Sequence, residues 1–271
     1  MAVNLAQSQI SVGLDPAKAS KWTQTLLDIQ RIGLCTPHEA SKIAGRLTFA
    51  ITTSLGKAGR ALVKPFFAQA NQPMRGYRAS VWLLRACAWW VQYFERRPLA
   101  VLPAHEATRQ SILAWTDAAG VTRKLSAVVL AHGRWYYTTL VVPDSVWAQL
   151  LPRRDDQIMM QEYLAIPLLL ATFSGILQSN LLLLAVDNQS VLGAMTSGSA
   201  GAEDLNTGIG KTWLEVASQG ISLHLVRVES KANVADGPSR DDLSFLEELQ
   251  ATYVAPVLPD WARALWKWPK L

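Results

Sequence analysis

The chain has 271 residues, half of them hydrophobic and only 17% charged, which supplies core for one large domain or two small ones and excludes a disordered chain. Its net charge of +5 is uneven: residues 1–100 carry 13 Lys and Arg against 4 Asp and Glu, whereas residues 101–271 carry 13 against 17. Two cysteines, Cys35 and Cys87, form no CxxC pair and no ligand spacing with the four histidines, which argues against zinc.

The opening MAVNLAQSQISVG has no basic region followed by an apolar stretch, so no signal peptide is expected. The first hundred residues read mostly as helix. Asp15-Pro16 opens one, with Asp as N-cap and Pro in the first turn; Trp22, Leu26 and Ile29 follow at helical spacing, and Gly33 fits its end. Thr36 and Glu39 have capping-box spacing, and Ala40, Ile43, Ala44 and Leu47 then recur on one face. A long helix rich in Trp and Leu is expected over 80–96, and Pro98 and Pro103 mark a linker.

Beyond the linker the period changes. Strands are expected over 111–116, 125–131 and 134–142, with a turn at His132-Gly133. Helix follows over 155–178. Leu164 to Val186 is long and apolar enough to span a bilayer, but Pro167, Gly175, Gln178, Ser179 and Asn180 interrupt it. It therefore reads as a buried helix, a polar turn and a buried strand over 181–186, with no membrane partner. Helices near 189–196 and 204–218, a strand over 221–228 and a final helix over about 241–252 complete the pattern. This order predicts an α/β fold with a mixed five-stranded sheet and flanking helices, preceded by a small mostly helical domain. The expected boundaries are 1–103 for the helical basic domain, 104–252 for the sheet domain and 253–271 for a tail rich in Trp and Pro.

Four acids stand where acids are costly for folding alone. Asp117 and Asp187 end strands, Glu162 lies early in an apolar helix, and Asp236 follows the last strand. Taken singly, Asp117 suits a turn, Glu162 a helix surface, and Asp187-Asn188 or Asp236 a helix cap. Together they would repel strongly unless a multivalent cation neutralised them, and all-oxygen ligands suit Mg2+ or Mn2+. Two such ions, about 4 Å apart, can activate water and stabilise a leaving oxygen at a phosphodiester.

The segments WTDAAG (115–120), QEYLAI (161–166), AVDNQSV (185–191) and NVADGPSR (233–240) resemble the ribonuclease H domain of retroelement reverse transcriptases, the gypsy-like and DIRS-like kinds above all. NVADGPSR is the most specific of the four. Residues 34–67 resemble the thumb and connection of such proteins, so that roughly residues 10–250 resemble the C-terminal part of a reverse transcriptase. The resemblance implies Asp117, Glu162, Asp187 and Asp236 as catalytic ligands of two Mg2+ or Mn2+ ions. It implies endonucleolytic hydrolysis of the RNA strand of an RNA–DNA hybrid, leaving a 5′-phosphate and a 3′-hydroxyl. Lys57, Arg60 and Lys64 in the basic half, and Asn188, Ser230, Asn233 and Arg240 near the acids, are the expected nucleic-acid contacts; a solvated surface is the plainer reading of each.

Three departures qualify the resemblance. No polymerase palm or Tyr-x-Asp-Asp motif is visible, so polymerisation would fall to a separate polymerase subunit. No histidine lies between Glu229 and Asp236, where many ribonucleases H carry one; His224 belongs to the strand and is expected to be structural. Gly237-Pro238 stiffens the chain after Asp236. The alternative from another class is a domesticated or truncated module that binds nucleic acid or protein without cutting. A resolvase or exonuclease on the same fold is a further rival. An intracellular location, nuclear or cytoplasmic, suits the low cysteine use.

Overall fold

The computed structural model describes residues 2–6, 9–53, 57–72, 77–98, 100–103, 110–150 and 157–263. They form two compact units, one built on residues 1–108 with 198–220, the other on 109–197 with 221–267. The sequence reading had grouped residues 198–220 with the second.

In the first unit, local capping signals set the helices. Helix α1 (Pro16–Ile32) starts at Asp15, whose carboxylate accepts from the amides of Ala17 and Lys18, and ends at Gly33 in the left-handed region. Helix α2 (Pro37–Thr52) has both bonds of its capping box: the Thr36 amide donates to Glu39 Oε2 at 2.9 Å, and the Glu39 amide to Thr36 Oγ1 at 3.1 Å. With α3 (Arg60–Ala70), α4 (Val81–Arg96) and α9 (Glu203–Ser218) these helices enclose a core centred on Trp89, Trp90 and Tyr93. Two of these rings satisfy their polar ends as burial demands: Trp90 Nε1 donates to the Leu62 carbonyl at 3.0 Å, and Tyr93 Oη to that of Ala50 at 3.2 Å. Gly210 lets α9 approach α3, since a Cβ there would meet Leu62 Cδ2 at 2.2 Å. Cys35 and Cys87 are buried free thiols, and burial pushes Cys35 up to about 11.

One expectation fails in this unit. Residues 100–103 are not a plain linker. Strands β1 (Ala2–Ala6), β2 (Gln9–Gly13) and β3 (Ala100–Pro103) form an antiparallel sheet in that order, with Ile10 opposite Leu102. The partner of 100–103 lies some ninety residues upstream, so no local pattern announces the pairing.

The second unit is a mixed α/β layer. Strands β4 (Ser111–Ala119), β5 (Lys124–Ala131), β6 (Arg134–Val141), β7 (Leu181–Val186), β8 (Ser222–Arg227) and β9 (Thr252–Tyr253) form a sheet of order β8-β7-β4-β5-β6-β9. Neighbours β4/β7, β7/β8 and β6/β9 are parallel; β4/β5 and β5/β6 are antiparallel. The sheet thus has six strands where five were expected, the sixth being the two-residue edge strand β9. Helix α6 (Ile158–Thr172) is apolar on every face save for Gln161 and Glu162 and packs on β4 and β5, which is why Met160 through Leu170 are buried. Short helices α5 (Asp144–Trp147) and α7 (Ser174–Leu177) flank it, and α8 (Gln189–Ser197) follows β7. No helix of the described residues is long and apolar enough to cross a membrane.

The expected final helix over 241–252 is replaced by α10 (Asp236–Ser239) and α11 (Ser244–Glu248), with α12 (Asp260–Arg263) beyond. Asp241 and Gln250 adopt positive φ on either side of α11, which bounds it at both ends, and the Asp242 carboxylate accepts from the Ser244 amide and hydroxyl, which fixes its start. In the tail, Trp261 lies on α12, whereas Trp266 and Trp268 fall outside the described residues.

Candidate metal centre

Parallel pairing of β4 and β7 brings two acids together. Trp115 pairs with Ala185, so the C-terminal ends of the two strands carry Asp117 and Asp187 side by side. Asp117 does not end its strand as expected; β4 runs on to Ala119, with Asp117 opposite Ser126. That placement makes Asp117 a sheet residue with only 3% of its surface exposed. Glu162 comes from α6, which lies against the same strand, and is 7% exposed. One carboxylate oxygen from each of Asp117, Glu162 and Asp187 lies within 4.8 Å of the others.

The electrostatics of this cluster are unfavourable without a cation. Burial, then the charges of Asp117, Asp187 and Asp236, raise the Glu162 carboxyl to about 9. Asp117 is raised too, chiefly by burial and further by Asp187 and Asp236, while a hydrogen bond from Ser239 pulls the other way. Glu162 Oε2 and Asp187 Oδ1 are buried without a hydrogen-bond partner. Buried carboxylate oxygens left bare are costly, and a hard divalent cation satisfies several at once. The residues therefore fit such an ion, and the triad can hold one.

The fourth acid lies outside the 4.8 Å group, though near enough for its charge to raise Asp117 and Glu162. Asp236 heads α10 and is not one of the three clustered acids; its Oδ1 instead accepts from Arg240 Nε at 2.9 Å, one helical turn on. The segment that carries it is pinned to the sheet. Asn233 Nδ2 donates to the Thr116 carbonyl at 3.1 Å, and Asn233 Oδ1 accepts from the Ala235 amide at 3.2 Å. Ser126 Oγ donates to the Ala235 carbonyl at 2.6 Å. Ala235 is fully buried against Val128 and Leu246. Gly237 is needed at its place, because a Cβ there would lie 2.8 Å from the Asp242 carbonyl oxygen.

Ser239, which the sequence pattern does not single out, borders the candidate site. It is fully buried, and its Oγ donates to Asp117 Oδ2 at 2.5 Å. Its position inside NVADGPSR, one turn from Asp236, was the available signal.

The expected nucleic-acid contacts fall into different settings. Asn188 caps α8, accepting from the amides of Ser190 and Val191. Asn233 is buried in the anchoring just described, whereas Ser230 and Arg240 are exposed. In the first unit, Lys64 Nζ donates to the Ala200 carbonyl at 2.8 Å, and Lys57 lies over the Trp213 ring at 4.8 Å. Burial, then Arg60, lowers the Lys57 ammonium. Arg60 is exposed. His224 sits on β8 opposite Leu183 with its side chain exposed, so it fills no place in the core.

No protein-family model matches the chain, and comparison with curated proteins finds no match. The reading of the site therefore rests on its own geometry.

Proposed function

We propose that the chain is a ribonuclease H-like nuclease of retroelement type that hydrolyses the RNA strand of an RNA–DNA hybrid. The observation that carries this reading is the buried triad of Asp117, Glu162 and Asp187, brought within 4.8 Å by two parallel strands and a helix, with bare oxygens facing no donor. The sheet order, with its three antiparallel strands followed by two parallel additions, and NVADGPSR at the margin of the cluster support the same reading.

Asp117, Glu162 and Asp187 would hold a first divalent cation, and Asp236 would add a ligand for a second. When bound, Mg2+ or Mn2+ supplies Lewis-acid activation of water and neutralises charge on the leaving oxygen. The protein's own residues set the stage for that chemistry. Ser239 fixes the direction of the Asp117 carboxylate, and Asn233 with Ser126 fixes the backbone that presents Asp236. An open cleft of about 450 Å³, lined by Ser230, Lys231, Asn233, Asp236 and Phe245, adjoins the fourth acid and gives a nucleic-acid backbone room to lie beside it. Recognition would rest on backbone shape and 2′-hydroxyls rather than on base sequence.

The test is cleavage of a labelled RNA–DNA hybrid with Mg2+ or Mn2+, by wild type beside Asp117→Asn and Asp187→Asn. Metal-dependent cutting of the RNA strand that disappears in both variants supports the reading. Folded wild type that binds the hybrid and never cuts it, in either metal, overturns it in favour of a non-catalytic nucleic-acid-binding module.

A further inference from the structure

We infer that Arg240 is a built-in competitor for the second cation: its guanidinium holds Asp236 apart from the acidic triad, so that the site loads its ions in order, the second by displacing Arg240. The inference rests on the proposed metal-holding role of the cluster.

Three observations carry it. Asp117, Glu162 and Asp187 are gathered, with two bare buried oxygens among them, whereas Asp236 is not in the cluster and is bonded to Arg240 Nε at 2.9 Å. The two partners are joined at i,i+4 spacing, Asp236 at the head of α10 and Arg240 at its C-cap, so the pair forms without ordering any other part of the chain. The pair is also solvent-facing, with side chains 66% and 35% exposed, and an exposed ion pair is weak enough for a divalent cation to break. The triad is a ready site for one ion. A second ion must compete with the guanidinium for Oδ1 of its carboxylate.

Arg240 acts on the triad mainly through Asp236. Burial and the neighbouring acids outweigh the Arg240 charge at both Glu162 and Asp117. A guanidinium released from Asp236 stays on the surface beside the site, free to meet a phosphate oxygen. Release would then couple loading of the second ion to arrival of the polyanionic strand.

The experiment is calorimetric titration of Mn2+ into the full chain without nucleic acid, for wild type, Arg240→Gln, Arg240→Lys and Asp236→Asn. Wild type should bind one ion and then a weaker second. Arg240→Gln should tighten the second step about fivefold, the worth of an exposed ion pair, and change the first less than twofold. Arg240→Lys, which keeps a cation within reach, should behave like wild type. Asp236→Asn should lose the second step alone. Equal tightening of both steps in Arg240→Gln would mean a long-range charge effect and would overturn the inference, as would an unchanged second step. Absence of any binding to wild type would instead sink the metal reading of the triad. Because the Arg240 side chain is largely exposed, its replacements leave the core intact, and a thermal melt of each variant verifies this.

Discussion

The acids and the cations that stand out in this sequence meet opposite fates. Asp117, Glu162 and Asp187 converge with Glu162 Oε2 and Asp187 Oδ1 unsatisfied, and the raised carboxyls of Asp117 and Glu162 record an arrangement that folding alone would not favour. Lys57 and Lys64 are drawn into internal contacts, one with the Trp213 ring and one with the Ala200 carbonyl. An ionic group held in an unfavourable setting points to a ligand; one already satisfied by its own fold explains itself. The difference teaches that a basic composition is weaker evidence for polyanion binding than bare carboxylates are for a cation.

The largest effect tests the acid side of that contrast. Asp117→Asn or Asp187→Asn should cut hybrid hydrolysis by about 1,000-fold, the several kcal/mol that metal-assisted chemistry supplies. Initial rates under single-turnover conditions check this. A loss under tenfold in both variants would remove the cluster from the reaction.

Next comes pH. A carboxyl raised in the folded state binds its proton more tightly there than in the unfolded chain, so its contribution is fully present below about 4.5 and is lost as pH rises toward about 9. In chelator, Tm should fall from pH 5 to pH 8.5, and Glu162→Gln should stand about 5 °C above wild type at the upper end. Mn2+ should erase most of the wild-type fall. A flat wild-type profile in chelator would mean that the three carboxylates do not strain the fold.

How much of this was legible depends on the range of each cause. Helix starts at Asp15 and at Thr36/Glu39 were readable because a cap is made by residues three apart. The convergence of Asp117 and Asp187 was readable from two apolar runs that each lead into an acid. The sheet of β1, β2 and β3 was not, since Val12 and Ala100 meet only in the folded chain. The broken final helix turns on Asp241 at positive φ and on Asp242 bonding to Ser244, which helical periodicity does not register. Within NVADGPSR the acid drew attention, while Asn233 and Ser239, which hold the segment and aim Asp117, read only as polar loop residues.

Ser239 sharpens the contrast from inside the site. Ser239→Ala removes the donor to Asp117 Oδ2, leaving a buried carboxylate with less support and its carboxyl raised further. A stability loss of about 1–2 kcal/mol in denaturant is expected, together with weaker binding of the first Mn2+. Unchanged stability and unchanged Mn2+ affinity would show that the serine does not position the acid.

The smallest effects decide the cation side. Lys64→Met should cost about 1 kcal/mol through the lost bond to the Ala200 carbonyl, and Lys57→Met about 0.5–1 kcal/mol through the lost contact with the Trp213 ring. If these lysines are structural, hybrid affinity and its dependence on salt should stay at the wild-type values in both variants. A lysine that neutralises a phosphate behaves differently: its loss lowers the salt slope by about 1 and weakens binding to every sequence alike. Denaturation midpoints and hybrid binding at two salt concentrations separate the two. Reduced slopes with unchanged stability would break the contrast and return the basic half to nucleic-acid contact. Reduced stability with unchanged slopes would leave Arg60, exposed on the same helix as Lys64, as the residue of that trio to examine for substrate contact.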